Sequence, residues 1–140
     1  QYFPNINYHL IATDIDENAL IQAKEGVYSE QALKELPNEL KHTFFTKKYG
    51  LYHIDQLLKK TITFKQHNLL SDSYPKQVDL IVCRNVLIYF TDEAKDMIYH
   101  RFNDSLIGDG ILFVGSTEQI FNPIEYQFSI FDTFFYKKIE

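Results

Sequence analysis

The sequence predicts an α/β open sheet in which helices connect the strands and an antiparallel hairpin ends the chain. Residues 78–82 (Val-Asp-Leu-Ile-Val) are an apolar run typical of a buried parallel strand. Residues 10–16 repeat this pattern as an apolar strand that ends in carboxylates. The tail at residues 126–138 has the pattern of a hairpin. Strands that alternate with helical segments in this way are typical of α/β sheets.

The first half of the chain contains one clear strand and helix, followed by a segment of mixed pattern at residues 27–60. The elements predicted there, in chain order, are a polar lead-in (1–7), a strand (8–15), a helix capped by Asp16 and ended by Gly26, a short helix (29–36) and an antiparallel excursion (44–53). The excursion carries a cluster of basic and aromatic residues, which we interpret as a solvated turn with local packing.

The second half returns to regular alternation. The elements predicted there are a strand (61–66), a strand (78–84), an amphipathic helix capped by Thr91 that ends within 105–107, a stop at Gly108-Asp109-Gly110, a strand (111–115) and the hairpin (126–138), turning near 131–132.

Composition limits the functions that this sequence supports. A chain of 140 residues suits one domain, and a net charge of −5 argues against general nucleic-acid binding. No apolar run approaches the ~20 residues of a membrane span, so we expect no membrane insertion. The five histidines and the single cysteine have no metal-ligand spacing, so no metal site is predicted. One cysteine also fits a reducing compartment, and we expect the protein to be cytoplasmic.

Two polar stretches follow predicted strands at the edge where open α/β sheets bind ligands. Asp14 and Asp16 end the first strand, and an acidic residue there commonly holds the hydroxyls of a cofactor ribose. Arg84 and Asn85 follow the third strand, within the stretch Cys-Arg-Asn-Val-Leu-Ile-Tyr-Phe at residues 83–90. We therefore predict a nucleoside cofactor held at the strand ends.

The chain resembles one family over nearly its whole length. The stretches that carry the resemblance are Ala-Thr-Asp-Ile-Asp (12–16), residues 23–28, Asn-Leu-Leu (68–70), residues 83–90 and residues 110–118. They are similar to those of the CheR-type chemotaxis receptor methyltransferases, which are S-adenosylmethionine-dependent protein-glutamate O-methyltransferases. The 83–90 stretch is the most specific of these matches.

The resemblance implies a Rossmann-like class I methyltransferase sheet with strand order 3-2-1-4-5-7-6 and a small inserted antiparallel subdomain, which we assign to residues 27–60. The family's N-terminal helical domain, its Gly-rich cofactor loop and its first, central strand would precede Tyr8. We therefore expect residues 1–140 to form a partial methyltransferase domain with an incomplete sheet. The gap would be closed by strand rearrangement or by a partner chain, as in a strand-exchanged or other homodimer of the fragment.

The resemblance also implies roles for individual residues. Asp14 is the expected ribose contact, with Asp16 second, although Asp16 also suits a helix cap. Asn68 and Leu69 correspond to contacts on the adenine side, although an asparagine there is also common in turns. Cys83 is interpreted as a small buried hydrophobe and not a nucleophile.

The stretch after the third strand carries the remaining candidates. Asn85 is the expected contact of the cofactor's amino acid part, and Arg84 is either a second contact or a structural donor to nearby carbonyls. Tyr89 matches a tyrosine near the transferred methyl group, where its hydroxyl can orient the incoming carboxylate. The alternative is a buried aromatic whose hydroxyl finds a partner.

The implied reaction is a displacement in which a receptor glutamate oxygen attacks the sulfonium methyl, giving a methyl ester and S-adenosylhomocysteine. The implied partner is the cytoplasmic domain of a chemoreceptor, and the fragment is expected to be inactive alone. Some family members bind a receptor tail peptide through the inserted subdomain, but the short stretch here has the single glycine Gly50. Two alternatives stay open, a degenerate fold kept as a non-catalytic interaction module and a small-molecule methyltransferase.

Overall fold

The computed structural model describes residues 7–140, which form two compact units that divide between Asn68 and Leu69. The predicted lead-in at residues 1–7 lies outside the described residues except for Asn7. Both units combine helices with strands, so the predicted α/β class is confirmed. We call residues 7–68 the first unit and residues 69–140 the second unit.

The first unit contains two small sheets. Its elements are β1 (Leu10–Asp14), α1 (Glu17–Glu25), β2 (Val27–Tyr28), α2 (Asn38–Phe44), β3 (Phe45–Lys48), β4 (Leu51–Ile54), α3 (Gln56–Lys60) and β5 (Ile62–Gln66). Strands β1 and β5 are parallel and pair over their full length, with Asp14 opposite Gln66. Strands β2, β4 and β3 form an antiparallel sheet in that order, which confirms the predicted antiparallel excursion.

Helix α1 begins and ends at the residues that the sequence indicated. The Asp16 side chain accepts a hydrogen bond from the Asn18 N–H at its start, and Gly26 adopts a left-handed conformation with φ +64° at its end. The Lys59 ammonium donates to the carbonyls of Lys24 and Glu25, at 2.8 and 2.9 Å. A lysine from α3 thus satisfies two terminal carbonyls of α1 and ties the two helices together.

The helix predicted at residues 29–36 is wrong, because this segment forms a series of turns. The N–H groups of Leu33, Lys34 and Leu36 each donate to the carbonyl three residues earlier. Pro37 follows directly and disfavours helical geometry at the preceding residue. The helix of this region is α2 instead, which starts after Pro37.

The second unit contains one four-stranded sheet. Its elements are β6 (Val78–Cys83), a 3₁₀ turn (Leu87–Tyr89), α4 (Asp92–Ser105), β7 (Leu106–Val114), a second 3₁₀ turn (Pro123–Tyr126), β8 (Phe128–Asp132) and β9 (Phe135–Lys138). The strand order is β6-β7-β9-β8. Strands β6 and β7 are parallel, and the other pairs are antiparallel.

The core of the second unit lies between α4 and one face of this sheet. Its buried apolar side chains are those of Cys83, Leu87, Ile98, Tyr99, Phe102, Leu106, Leu112, Val114, Ile120, Phe128 and Tyr136. Burying a Leu, Ile or Phe side chain contributes roughly 1.5–3 kcal/mol. Because Leu87 belongs to this cluster, the core also anchors the turn that follows β6.

Two predicted boundaries in the second unit are wrong. Strand β7 begins at Leu106 and not at residue 111, because Leu106 already pairs with Val78. The Gly108-Asp109-Gly110 stretch therefore forms an irregularity inside β7, where the next pair is Leu80 with Ile111. The final hairpin is confirmed, but its turn lies at residues 133–134, after β8, and not near 131–132.

Each unit reproduces a part of the strand order that the resemblance implied. The pair β5-β1 corresponds to positions 3-2, and β6-β7-β9-β8 corresponds to positions 4-5-7-6. Among the strands of residues 7–140, β1 pairs only with β5 and β6 pairs only with β7. The absence of a central strand stays a prediction.

Replacing Gly26 by alanine is expected to destabilise the protein more than the same change at Gly50. Both glycines have positive φ, which costs an alanine about 1–2 kcal/mol. A Cβ at Gly26 would also lie 2.5 Å from Ile54 Cγ2, whereas one at Gly50 meets nothing within 4 Å. Overpacking adds about 1–3 kcal/mol at Gly26 alone. Urea unfolding of both variants measures the difference, and equal losses would contradict this packing argument.

Candidate functional site

The carboxyl end of β1 presents two aspartates with different surroundings. The Asp14 side chain accepts a hydrogen bond from the Asp16 N–H at 2.9 Å, and the Asp14 carbonyl accepts one from the His67 N–H. The Asp16 side chain is used as the cap of α1. Asp14 is exposed, and its second carboxylate oxygen makes no hydrogen bond within residues 7–140. Asp14 is therefore the better placed of the two to accept hydrogen bonds from a ligand.

Asn68 and Leu69 follow β5, and the structure fixes the backbone of Leu69. The Leu69 carbonyl accepts hydrogen bonds from the Tyr74 hydroxyl at 2.9 Å and from Arg101 Nη1 at 3.0 Å. Arg101 also donates to the Leu70 carbonyl, and the Leu69 side chain packs against the core of the second unit. Asn68 is half-buried. Arg101, on α4, is a positioning side chain that the sequence analysis did not identify.

Cys83 ends β6 as a buried side chain. Burial raises the pKa of its thiol to about 12, and the nearby Glu118 carboxylate acts in the same direction. The thiolate is the nucleophilic form of cysteine, so this side chain is unreactive near neutral pH. The structure agrees with the interpretation of Cys83 as a small buried hydrophobe.

Arg84 makes a cation–π contact with one ring of an aromatic pair. Its guanidinium carbon lies 4.8 Å from the centre of the Phe113 ring, and that ring stacks on Phe135 with centres 4.1 Å apart and planes 3° apart. Arg84 makes no hydrogen bond to a carbonyl of the described residues. Its interpretation as a structural donor to carbonyls is therefore wrong. Cation–π contact with Phe113 takes the place of that interaction.

Asn85 begins a turn whose backbone is held by the buried carboxylate of Glu118. Oε2 of Glu118 accepts from the Asn85 N–H at 2.6 Å, and Oε1 accepts from the N–H groups of Val86 and Leu87 at 2.8 and 2.7 Å. Oε2 also accepts from the Gly115 N–H at 2.8 Å. One side chain thus joins the turn after β6 to the segment after β7.

This arrangement requires a glycine at position 115. A Cβ at Gly115 would overlap Glu118 Oε2 and lie 3.0 Å from Asn85 Oδ1. Asn85 has φ +59°, in the left-handed region that asparagine tolerates better than most residues. The turn therefore depends on residue types that suit close backbone approach and unusual conformation.

Glu118 is ionised at neutral pH in this setting. Its burial by itself would raise the pKa, but the four backbone N–H groups together outweigh burial and hold the pKa below its ordinary value. Glu118 forms no ion pair with a Lys or Arg of the described residues. Its negative charge is therefore stabilised by four charge-assisted hydrogen bonds from backbone N–H groups.

Tyr89 lies at the end of the 3₁₀ turn, two residues after the buried Leu87. Its side chain is 83% exposed, so the alternative of a buried aromatic is wrong. The hydroxyl makes no hydrogen bond within the described part of the chain. Its position is therefore set by the backbone of residues 85–89 and not by contacts of its own.

The structure places three predicted residues, Arg84, Asn85 and Tyr89, on one turn of the second unit. Sequence reasoning missed Glu118. It follows a strand at the same edge as Arg84 and Asn85, and the rule that selected Asp14, an acidic residue after a strand of an open α/β sheet, would have found it.

Among residues 7–140, no cluster of His, Cys, Asp and Glu is arranged to hold a metal ion. None of the helices described is long and apolar enough to cross a membrane.

Comparison with known proteins identifies a family. The family model described as "CheR methyltransferase, SAM binding domain" matches residues 1–135. A chemotaxis protein methyltransferase of Listeria monocytogenes is 44% identical over 132 residues, covering 94% of this chain and 50% of that protein. The chemotaxis protein methyltransferase of Escherichia coli is 36% identical, covering 88% of this chain and 45% of that protein. The chain thus spans about half the length of these relatives.

Similarity to solved structures is weaker. A protein described as a possible exported protein from Bordetella parapertussis has a TM-score of 0.49 at 20% identity, over 76% of this chain and 27% of that one. PKMT2 from Rickettsia typhi has a TM-score of 0.46 at 19% identity, over 76% and 16% of the respective chains. The family model, with the strand order of each unit, is what supports a Rossmann-like fold.

The free energy of unfolding is expected to fall on acidification through the protonation of Glu118. Because its pKa in the folded state lies below the ordinary value of 4.5, the stabilisation is full above that value and is lost as the pH falls through the folded pKa. Urea unfolding between about pH 5 and pH 3 measures this loss. The Glu118→Gln variant should show a shallower slope than the exposed control Glu125→Gln. Identical slopes would contradict the role assigned to this carboxylate.

Proposed function

The chain belongs to the CheR methyltransferase SAM-binding domain family, and we propose that it is part of an enzyme that methylates glutamate side chains of chemotaxis receptors. The observation that carries this proposal is the turn at residues 84–89, which carries Asn85 and exposes Tyr89 after a parallel strand. The curated relatives are named as chemotaxis protein methyltransferases. Chemoreceptors as partners and the cytoplasm as location follow from the same proposal.

The residues present fit S-adenosylmethionine, the cofactor of this family. We propose that Asp14 accepts hydrogen bonds from the ribose hydroxyls, because its carboxylate is exposed at a strand end and one of its two oxygens accepts no hydrogen bond within residues 7–140. Asp16 is proposed as a secondary contact, since its side chain already caps α1. Asn68 and Leu69 are proposed for the adenine side, where the bonds to the Leu69 carbonyl hold the backbone.

Asn85 and Arg84 are proposed to face the amino acid part of the cofactor. The Asn85 N–H is already used by Glu118, so its side-chain amide is the group left for a ligand. The Arg84 guanidinium contacts the Phe113 ring and donates to no carbonyl of the described residues, so its N–H groups are proposed for the ligand. Both groups can serve a carboxylate, the amide as a neutral donor and the guanidinium as a charged one.

The chain's own contribution to the chemistry is positioning. The bound cofactor supplies an electrophilic methyl group on a sulfonium sulfur. A glutamate nucleophile has a pKa near ~4.3 and is ionised at neutral pH, so no general base is needed. The exposed Tyr89 hydroxyl is proposed to donate a hydrogen bond to that carboxylate and to orient it. Alignment and the removal of water around the carboxylate then account for catalysis.

We further propose that residues 27–60 form the inserted subdomain of a partial methyltransferase domain. The antiparallel sheet β2-β4-β3 and the short helices α2 and α3 fill this range. Its free edge strand β3 carries exposed lysines, of which Lys47 pairs with Glu30 at 3.2 Å and lies over the Tyr52 ring. These contacts support a locally packed, solvated surface.

Calorimetric titration tests this proposal. S-adenosylhomocysteine is titrated into the 140-residue chain and into the natural protein that contains it, and methyl transfer is assayed with receptor fragments and with small carboxylic acids. Binding with methylation of receptor glutamates is the expected result for the natural protein. Failure to bind would favour an interaction module, and transfer to small acids alone would favour a small-molecule methyltransferase.

Replacing Asp14 by alanine is expected to weaken binding of S-adenosylhomocysteine by about 10- to 100-fold, because hydrogen bonds to the ribose are lost from a charged acceptor. Calorimetry on the natural protein measures this change. Glu17→Ala, which removes a nearby exposed carboxylate at the start of α1, is the matched control. An unchanged affinity in the Asp14 variant would remove this residue from the site.

Replacing Tyr89 by phenylalanine is expected to lower kcat by roughly tenfold while the affinity for S-adenosylhomocysteine changes little. The exposed hydroxyl contributes to no contact of the fold, so the melting temperature should stay the same. Tyr49→Phe, at a fully exposed hairpin turn, is the control. A loss confined to cofactor affinity would argue against the proposed placement of Tyr89.

A further inference from the structure

We propose that Glu118 is the positioning residue of the methyltransferase site, and that it acts by fixing the backbone from which Asn85 and Tyr89 project. This inference rests on the proposed function for its catalytic consequence. The structural part of the proposal is that one carboxylate determines the conformation of residues 85–89. This part rests only on the geometry of the second unit. Glu118 is not proposed as a catalytic residue.

The two oxygens of Glu118 have separate tasks. Oε1 accepts from the N–H groups of Val86 and Leu87, which lie at the start of the 3₁₀ turn and have no earlier carbonyl within that turn to donate to. Oε2 accepts from Asn85 and Gly115 and so joins this turn to the end of β7. Both oxygens are therefore fully used by the backbone.

Direct contact between Glu118 and a bound ligand is not compatible with this arrangement. The side chain is 5% exposed, and each oxygen already accepts two hydrogen bonds. A ligand would have to displace a backbone N–H that has no other hydrogen-bond partner among residues 7–140. Glu118 therefore acts through the residues that it holds.

The turn depends on these hydrogen bonds because its backbone is in an uncommon conformation at Asn85, which has φ +59°. The buried Leu87 anchors the middle of the turn. The Glu118 carboxylate holds the start of the turn through the N–H groups of Asn85, Val86 and Leu87.

Among Glu, Gln and Asp, only glutamate has both the charge and the length to accept all four hydrogen bonds at this position. Glutamine offers one acceptor oxygen, and its amide group would direct N–H donors at the N–H donors of the backbone. Aspartate keeps the charge but withdraws both oxygens by one methylene. Charge-assisted hydrogen bonds require donor–acceptor distances of about 2.7–2.9 Å, so this withdrawal weakens all four.

The experiment uses Glu118→Gln in the natural protein, with Glu125→Gln as the matched control on an exposed carboxylate. Backbone amide NMR signals of Asn85, Val86, Leu87 and Gly115 should shift in the Glu118 variant, together with the ring signals of Tyr89. The control should leave them unchanged. Unchanged signals in the Glu118 variant would overturn the proposal whether or not the protein is an active methyltransferase.

Kinetics then separate positioning from general destabilisation. Below the melting temperature, Glu118→Gln should lower kcat by about 10- to 100-fold. In a cycle with Tyr89→Phe, the double variant should lose little beyond the Glu118 variant, because both act on the same hydroxyl. Additive losses would overturn the proposal, since a purely structural effect is independent of Tyr89. A wild-type protein that transfers no methyl group would instead refute the proposed function.

If the Glu118→Gln protein does not fold, the Glu118→Asp variant still tests the proposal. Glu118→Asp preserves the charge, so it should fold, shift the same amide signals and lose kcat to a smaller extent than Glu118→Gln. Wild-type signals and wild-type kcat in Glu118→Asp would overturn the proposal.

Discussion

The parallel pairing of β6 with β7 is the constraint on which the candidate site in the second unit depends. Cys83 lies opposite Val114 at the carboxyl end of this pair. Parallel strands end at the same edge of a sheet, so the segments that follow them emerge side by side. Because of this register, Glu118 reaches the backbone after β6 although 33 residues separate it from Asn85.

A buried charge without a cationic partner is costly, and here backbone dipoles offset the cost. Four N–H groups converge on one carboxylate, which makes the site sensitive to backbone geometry at Asn85 and Gly115. Arg84 lies on the same turn and is held by a different interaction, a cation–π contact with Phe113, whose ring stacks on Phe135. Backbone hydrogen bonds to Glu118 and the cation–π contact of Arg84 together position the polar groups of this turn.

Sequence patterns predicted the parts of the fold that depend on local chemistry. Asp16 and Gly26 mark the ends of α1 because capping and left-handed conformation are properties of single residues. One failure arose where distant pairing decided the outcome: residues 108–110 look like a helix stop but lie within β7, because Leu106 pairs with Val78. The contacts of Arg84 and Glu118 likewise involve residues distant in sequence. Arg84 contacts Phe113 on β7, and Glu118 accepts a hydrogen bond from the turn after β6.

Glu118 is distant in sequence from the backbone N–H groups of residues 85–87 that donate to it. This separation has a consequence for the order of folding. Contacts between residues distant in sequence form late, because loop-closure entropy must be offset first. The 3₁₀ turn cannot acquire its final conformation until β7 has paired with β6 and delivered Glu118 to it. The helix α4 and its apolar stripe can assemble earlier from local contacts. We therefore expect the surface that carries Asn85 and Tyr89 to be among the last parts of the second unit to fold.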